Sequence, residues 1–521
     1  MYPSLLFLAN LLYVNMKKIL NISLVIALII SNAASIYAQG ISAAAQSVQY
    51  IAIGEEVSVT EHQVNAGGRM INYTATSGYM ILGDEAENAK GKIFFTYYAD
   101  KANKNPKDRP ITFIYNGGPG SSSVWLHMGG LGPRRILMTD DGESMEPPYE
   151  VVPSEYTWLT HSDLVFIDPM ETGYSRPIPG ESKAQFTGYQ NDINSMGDFI
   201  RAFTSKYERW NSPKYLSGES YGTTRSAGLS GYLQDRYGMY LNGIILISSV
   251  LDFSTILFDR GNELPFVVNL PTYAATAWYH KKLDPSISDL PKLLEEVREF
   301  AKGEYTVALM KGDQISDSDR RNIIAKLKRY TGLSEEYIDL TNLRININKF
   351  TKELRRDEKM TVGRLDGRIT GLDYDYVGES YEYDPSYNGA IYGPFSMAIN
   401  DYLKRELKVE INQAYEILTG RPRPWSYANV ENKYLNVAEI LRSAMTRNQS
   451  LKVLVINGYY DLATPFGGTE YTVDHMFLDK SLRGNIEMKY YESGHMVYIH
   501  KPSLEQMTID VRDFYQRSSG N

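Results

Sequence analysis

The sequence predicts an α/β fold, a mostly parallel sheet with helices on both faces. Three observations lead there. Short apolar runs of strand length recur at Pro110 to Tyr115, Asp163 to Asp168, Leu241 to Val250 and Leu451 to Ile456. Between two of them, Ile193, Met196, Phe199, Ile200 and Phe203 fall at helical spacing within Asp192 to Trp210. From Pro213 to Leu229 a strand-like run turns into a helix-like one across Gly218-Glu219-Ser220-Tyr221-Gly222. Strand, loop, strand, helix, strand, turn, helix, strand is the alternation of a doubly wound sheet.

With 521 residues the chain is long enough to bury a large core and to hold an insertion. A content of 43% apolar and 22% charged residues places it among soluble globular proteins. The net charge of −8, with no basic cluster, argues against a nucleic-acid partner. There is no cysteine, which excludes disulfides, thiolate metal sites and a cysteine nucleophile. No cluster of ligand residues suggests a metal, and no cofactor is expected.

The elements follow in order. Met16-Lys17-Lys18, the apolar run Ile19 to Ile30 and the small-residue stretch Ser31 to Ala38 have the order of a signal peptide. Residues 1–38 are read as that signal or an extended leader, with an uncleaved anchor as the alternative. Export and the lack of cysteine point to a bacterial protein in the periplasm or outside the cell, with no stable membrane association after cleavage. Residues 41–253 form the first part of the core. Its stretch 41–67 leads into a meander at Arg69 to Thr74, Gly78 to Leu82 and Lys92 to Ala99. From 254 to 430 the pattern gives way to a charged, largely helical cap insertion. Helices are expected there at Asp289 to Met310, Ser316 to Leu327 and Ser334 to Asp357, each with its first residue as cap. Gly363 to Ser386 reads as irregular. The core resumes over 431–521 with strands at Leu451 to Ile456 and Ile486 to Tyr491 and a closing helix at Pro502 to Tyr515.

The turn at 218–222 carries chemistry. It fits G-x-S-x-G, the nucleophile elbow of α/β-hydrolases, whose glycines allow close backbone approach around a strained serine. Ser220 is therefore the candidate nucleophile. A serine hydroxyl needs a base and a group that orients the base. His495 directly follows the strand Ile486 to Tyr491, where such a base belongs, whereas His475 and His500 read as surface residues. Asp461 follows the strand begun at Leu451 and is the candidate acid; a turn or helix-cap role is the plainer alternative. The oxyanion hole of this fold takes one N–H from the residue after the nucleophile, here Tyr221. The second comes from a glycine-rich loop after an earlier strand. Asn116-Gly117-Gly118-Pro119-Gly120 is such a loop, with Gly118 as donor.

Four blocks in order, Asn116 to Ser122, Gly218 to Gly222, Gly458 to Asp461 and Gly494 to Val497, resemble the signatures of the serine carboxypeptidase family, the carboxypeptidase Y-like enzymes. The resemblance spans roughly residues 68 to 515. It implies an α/β-hydrolase core with a cap, peptide substrates and removal of single C-terminal residues. It also implies that Ser220 attacks, that His495 serves as base and then acid, and that Asp461 orients it. Asn116, the Gly117 backbone and Glu219 would then grip the substrate carboxylate. Only a protonated Glu219 can donate to a carboxylate, so an acid optimum is expected. The chain departs from the family at Gly130, where typical members carry a glutamate, and at Ile114, Ser121 and Glu171. Two other readings accompany this one: an acyl hydrolase or acyltransferase, and a non-catalytic binding protein, on the same fold.

Overall fold

Alternate residues of the core strands are sorted onto opposite faces of one sheet. Phe113 and Tyr115 pack into one core with Val165, Leu216 and Leu246, while Ile114 packs into the other with Leu164, Phe166 and Ile247. Both faces are thus buried, which is why these strands read as continuous apolar runs. The computed structural model describes residues 57–83, 88–103 and 105–519. The expected leader at 1–38 lies outside the described residues. Among the described residues, no helix is long and apolar enough to cross a membrane.

The main sheet runs through β1 (Val57–Ala66), β2 (Arg69–Gly83), β3 (Ala89–Asp100), β4 (Ile111–Tyr115), β5 (Asp163–Ile167), β6 (Lys214–Ser220), β7 (Gly243–Ser249), β8 (Lys452–Gly458) and β9 (Ile486–Tyr491), in spatial order β1-β2-β3-β5-β4-β6-β7-β8-β9, and the short strand Arg176–Pro177 pairs with β3 off this path. The first three pair antiparallel, as do β3 and β5; β5, β4, β6, β7, β8 and β9 run parallel. Helices α1 (Tyr189–Lys206) and α2 (Tyr221–Tyr237) cover one face, and α5 (Lys501–Ser518) the other. This is the α/β-hydrolase fold. Its parallel strands all end on the side that carries the elbow.

The meander differs from expectation in two ways. Residues 57–66, read as a leader, form β1, in which Val57 and Val59 are exposed and the apolar residues are interrupted by polar ones, so no apolar run marks it. The two strands expected at Arg69 to Thr74 and Gly78 to Leu82 are one strand, β2, because Ser77 and Gly78 stay paired with Thr96 and Phe95.

Between β7 and β8 the chain divides its apolar residues among three cores. Helices α3 (Leu264–Tyr279) and α4 (Asp317–Thr331) bury Leu270, Tyr273, Ile323 and Leu327 in a core of their own, together with Tyr460, Leu462 and Phe466 from beyond β8. The later stretch returns to the sheet: Phe395, Tyr402 and Ile417 pack on one face, Leu435 and Val437 on the other. Asp289, Ser316 and Ser334 each accept a backbone N–H as helix caps. The helix expected over Ser334 to Asp357 is broken. Asn342 and Leu343 adopt positive φ of 53° and 65°, and a new helix starts at Ile347. By contrast, the helix expected at Asp289 to Met310 runs without a gap from Leu290 to Lys311, with a π turn inside it at Ala301–Tyr305.

Candidate active site

Ser220 ends β6 and precedes the first residue of α2, with φ +59° and ψ −129°. That strained conformation needs room on either side. A Cβ on Gly218 would lie 2.1 Å from the Gly222 carbonyl oxygen, and one on Gly222 would lie 2.8 Å from that of Tyr115. Thr223 fastens the turn by donating to Ser220 O (2.7 Å) and accepting from Val250 N–H (2.9 Å) at the end of β7. The N–H of Tyr221, first residue of α2, has no partner within its own helix and sits at the positive end of the helix dipole.

His495 and Asp461 come from loops after β9 and β8. Their close approach depends on glycines: a Cβ on Gly458 would lie 2.1 Å from the Gly494 carbonyl oxygen. His495 Nδ1 donates to Asp461 Oδ2 at 2.8 Å. Asp461 Oδ1 accepts from the N–H groups of Ala463 (2.9 Å) and Thr464 (3.0 Å), and the Thr464 hydroxyl donates to Oδ2 (2.6 Å). The carboxylate is therefore fixed on both oxygens. The His495 backbone is held as well: its N–H donates to Leu365 O and its carbonyl accepts from the Ser248 hydroxyl, both at 2.6 Å. Burial works against a charge on His495, but the Asp461 carboxylate and its hydrogen bond, with Glu219 behind them, outweigh it and raise the imidazole pKa. Ser220 and His495 face the same cleft without a direct hydrogen bond between them. Such bonds are often long before substrate binds.

The loop after β4 lies against the elbow. A Cβ on Gly117 would sit 2.4 Å from Tyr221 N, and Gly118 has φ +104°. Asn116 is buried; its Oδ1 accepts from Leu126 N–H at 3.2 Å, so its Nδ2 faces away, toward Glu219 and Tyr498. Glu219 is buried beside it and accepts a hydrogen bond from the Tyr498 hydroxyl. Burial pushes the Glu219 carboxyl up to about 7, against the opposing pull of His495 and of the Tyr498 hydroxyl. Asn116, Gly117, Gly118, Glu219, Ser220 and His495 line a cleft of about 570 Å³, which Trp125, Phe253, Tyr387 and Arg364 also line.

Several supporting residues escaped the sequence reading. Arg225 of α2, fully buried, donates to both oxygens of Asp192 on α1 (2.9 and 3.2 Å) and to the Asn116 carbonyl (2.7 Å). It ties the nucleophile helix to the glycine-rich loop. As the only charge in a run of small residues, it was the visible anomaly. Asp192→Ala would leave this guanidinium buried and unpaired; a loss of about 3–5 kcal/mol of stability is expected in denaturant titrations. Asp366 accepts from Gly494 N–H (3.1 Å) and secures the His495 loop. Thr464 and Tyr498 gave no signal beyond lying a few residues past Asp461 and His495. Of the histidines set aside, His475 is exposed, and His500 is half-buried with Nδ1 bonded to the Ser503 hydroxyl.

A family model described as serine carboxypeptidase matches residues 67–510. Serine carboxypeptidase-like 5 of Arabidopsis thaliana is 26% identical over 243 residues, covering 44% of this chain and 52% of that protein. Serine carboxypeptidase-like 13 of the same plant is 23% identical over 326 residues, covering 59% of this chain and 67% of that protein. The chain thus spans about half the length of the first curated relatives it matches. Kex1(delta)p, a prohormone-processing carboxypeptidase from Saccharomyces cerevisiae, superposes with a TM-score of 0.53 at 16% identity, over 85% of this chain and 92% of that one. At that identity the likeness is one of fold.

Proposed function

The chain belongs to the serine carboxypeptidase family, and from that premise we propose that it releases single residues from the free C-termini of peptides through an acyl-enzyme. In this reading Ser220 attacks the last peptide carbonyl. His495 takes the hydroxyl proton at Nε2 and returns it to the leaving amine, while Asp461 holds the Nδ1–H. The N–H groups of Gly118 and Tyr221 receive the oxyanion. Asn116, the Gly117 backbone and Glu219 hold the terminal carboxylate. Residues 1–38 would direct export, to a bacterial periplasm or outside the cell.

One observation carries the reading. The residue before the nucleophile is a buried carboxyl that burial pushes up to about 7, beside the amide donor of Asn116. A protonated carboxyl and an amide can both donate to a carboxylate. An ionised Glu219 would repel it. Because the Glu219 pKa is raised, the binding-competent form exists below about pH 7 and is lost above it. Peptide cleavage is therefore expected on the acid side of neutrality. The test is KM for an N-blocked dipeptide and for its C-terminal amide. The free acid should bind better in acid and lose about tenfold per pH unit above about pH 7, while the amide stays flat. A second reading, hydrolysis or transfer of another acyl group, draws on Gly130, where typical members carry a glutamate. Equal handling of acid and amide at every pH would favour it.

A further inference from the structure

One turn in which the chain departs from its family packs against a partner of Glu219. Gly130 stands where a glutamate is usual, and Gly129 precedes it in the same turn. The ring of Tyr498 lies against it: a Cβ on Gly129 would sit 2.3 Å from two ring carbons. Gly130 itself has φ +128°, a conformation that favours glycine, and its carbonyl accepts from the Ser154 hydroxyl (2.8 Å). The lack of a side chain at Gly129 thus leaves room for a buried phenol whose hydroxyl donates to Glu219 Oε2.

Building on the carboxylate-binding role of Glu219, we propose that Tyr498 is a positioning residue that directs the Glu219 proton toward the substrate carboxylate and sets the pH window in which that carboxylate is held. Burial keeps the phenol protonated far above its ordinary range, so towards Glu219 it acts as a donor. Oε2 is then occupied as an acceptor. When Glu219 takes a proton, the proton goes to Oε1, the oxygen left for the substrate. The same bond stabilises the ionised form and holds the Glu219 pKa below the value burial alone would give. The other groups that act on Glu219 are His495 after β9, Asp461 after β8 and the Asn116 amide after β4. Of these, His495 also titrates near neutrality and must be separated in the test.

The experiment measures binding by calorimetry in a Ser220→Ala background, from about pH 4 to about pH 9, using an N-blocked dipeptide and its amide. The background protein should prefer the free acid, with a step near pH 7. Tyr498→Phe keeps the ring on Gly129 and removes only the donor; the step should move up by about one pH unit. Gly129→Ala, which displaces the ring, should move it the same way. Glu219→Gln still accepts from Tyr498 and should abolish the step; a step that survives belongs to His495 and overturns the proposal. A step unmoved in both Tyr498→Phe and Gly129→Ala also overturns it, while leaving carboxylate recognition intact. No preference for the acid at any pH would instead overturn the reading of Glu219 itself.

Discussion

Ser220→Ala is expected to lower turnover of a free-acid peptide by about 10⁶-fold. Nothing else in the cleft can take over the attack. Thr464 has a hydroxyl near the His495 ring, but it donates to Asp461 Oδ2 and lies on the Nδ1 side, and the Ser248 hydroxyl is held by the His495 carbonyl. The elbow backbone does not depend on the serine side chain, since its glycines make the room. The variant should therefore fold and keep substrate affinity while losing kcat and fluorophosphonate labelling. His495→Ala should cost about as much, and the double variant no more than either, because the two act as a unit. Retention of peptide cleavage within about a hundredfold of wild type would remove Ser220 from the chemistry.

Asp461→Asn is expected to cost about 10⁴-fold in kcat with little change in fold. The two N–H groups of Ala463 and Thr464 would still find an acceptor in the amide oxygen. That choice turns the amide nitrogen toward His495 Nδ1, which must then accept rather than donate. The imidazole proton moves to Nε2, the position that has to be empty to receive the Ser220 proton. The same change removes the charge that raises the His495 pKa, so the imidazole should titrate lower in the variant. Kinetics and a histidine NMR titration check the two effects. A loss below about tenfold, or an unmoved His495 titration, would give Asp461 back its role as a turn residue.

The sequence revealed what depends on burial and on close backbone approach. Strands buried on both faces read as apolar runs, and Gly117, Gly218, Gly222, Gly458 and Gly494 stand where a Cβ would strike neighbouring backbone. These constraints locate the loops that deliver Asn116, Ser220, Asp461 and His495 to one cleft. What stayed hidden depends on partners distant in sequence. The strand β1 shows half its residues to solvent, so its pattern resembled a polar leader. The break at Asn342 and Leu343 rests on local backbone geometry that no apolar spacing records. The partners of Arg225, Asp192 and the Asn116 carbonyl, lie 33 and 109 residues away in the chain. Tyr498 could not be paired with Glu219 from the sequence, since 279 residues separate them.

The most direct measurement of the central claim uses one decapeptide with a free C-terminus and its amidated twin, followed by mass spectrometry with time at mildly acid pH. The account predicts a ladder of single-residue losses from the free end, an intact amidated twin, and no ladder with Ser220→Ala. Cleavage at internal bonds, or equal processing of both peptides, would contradict it.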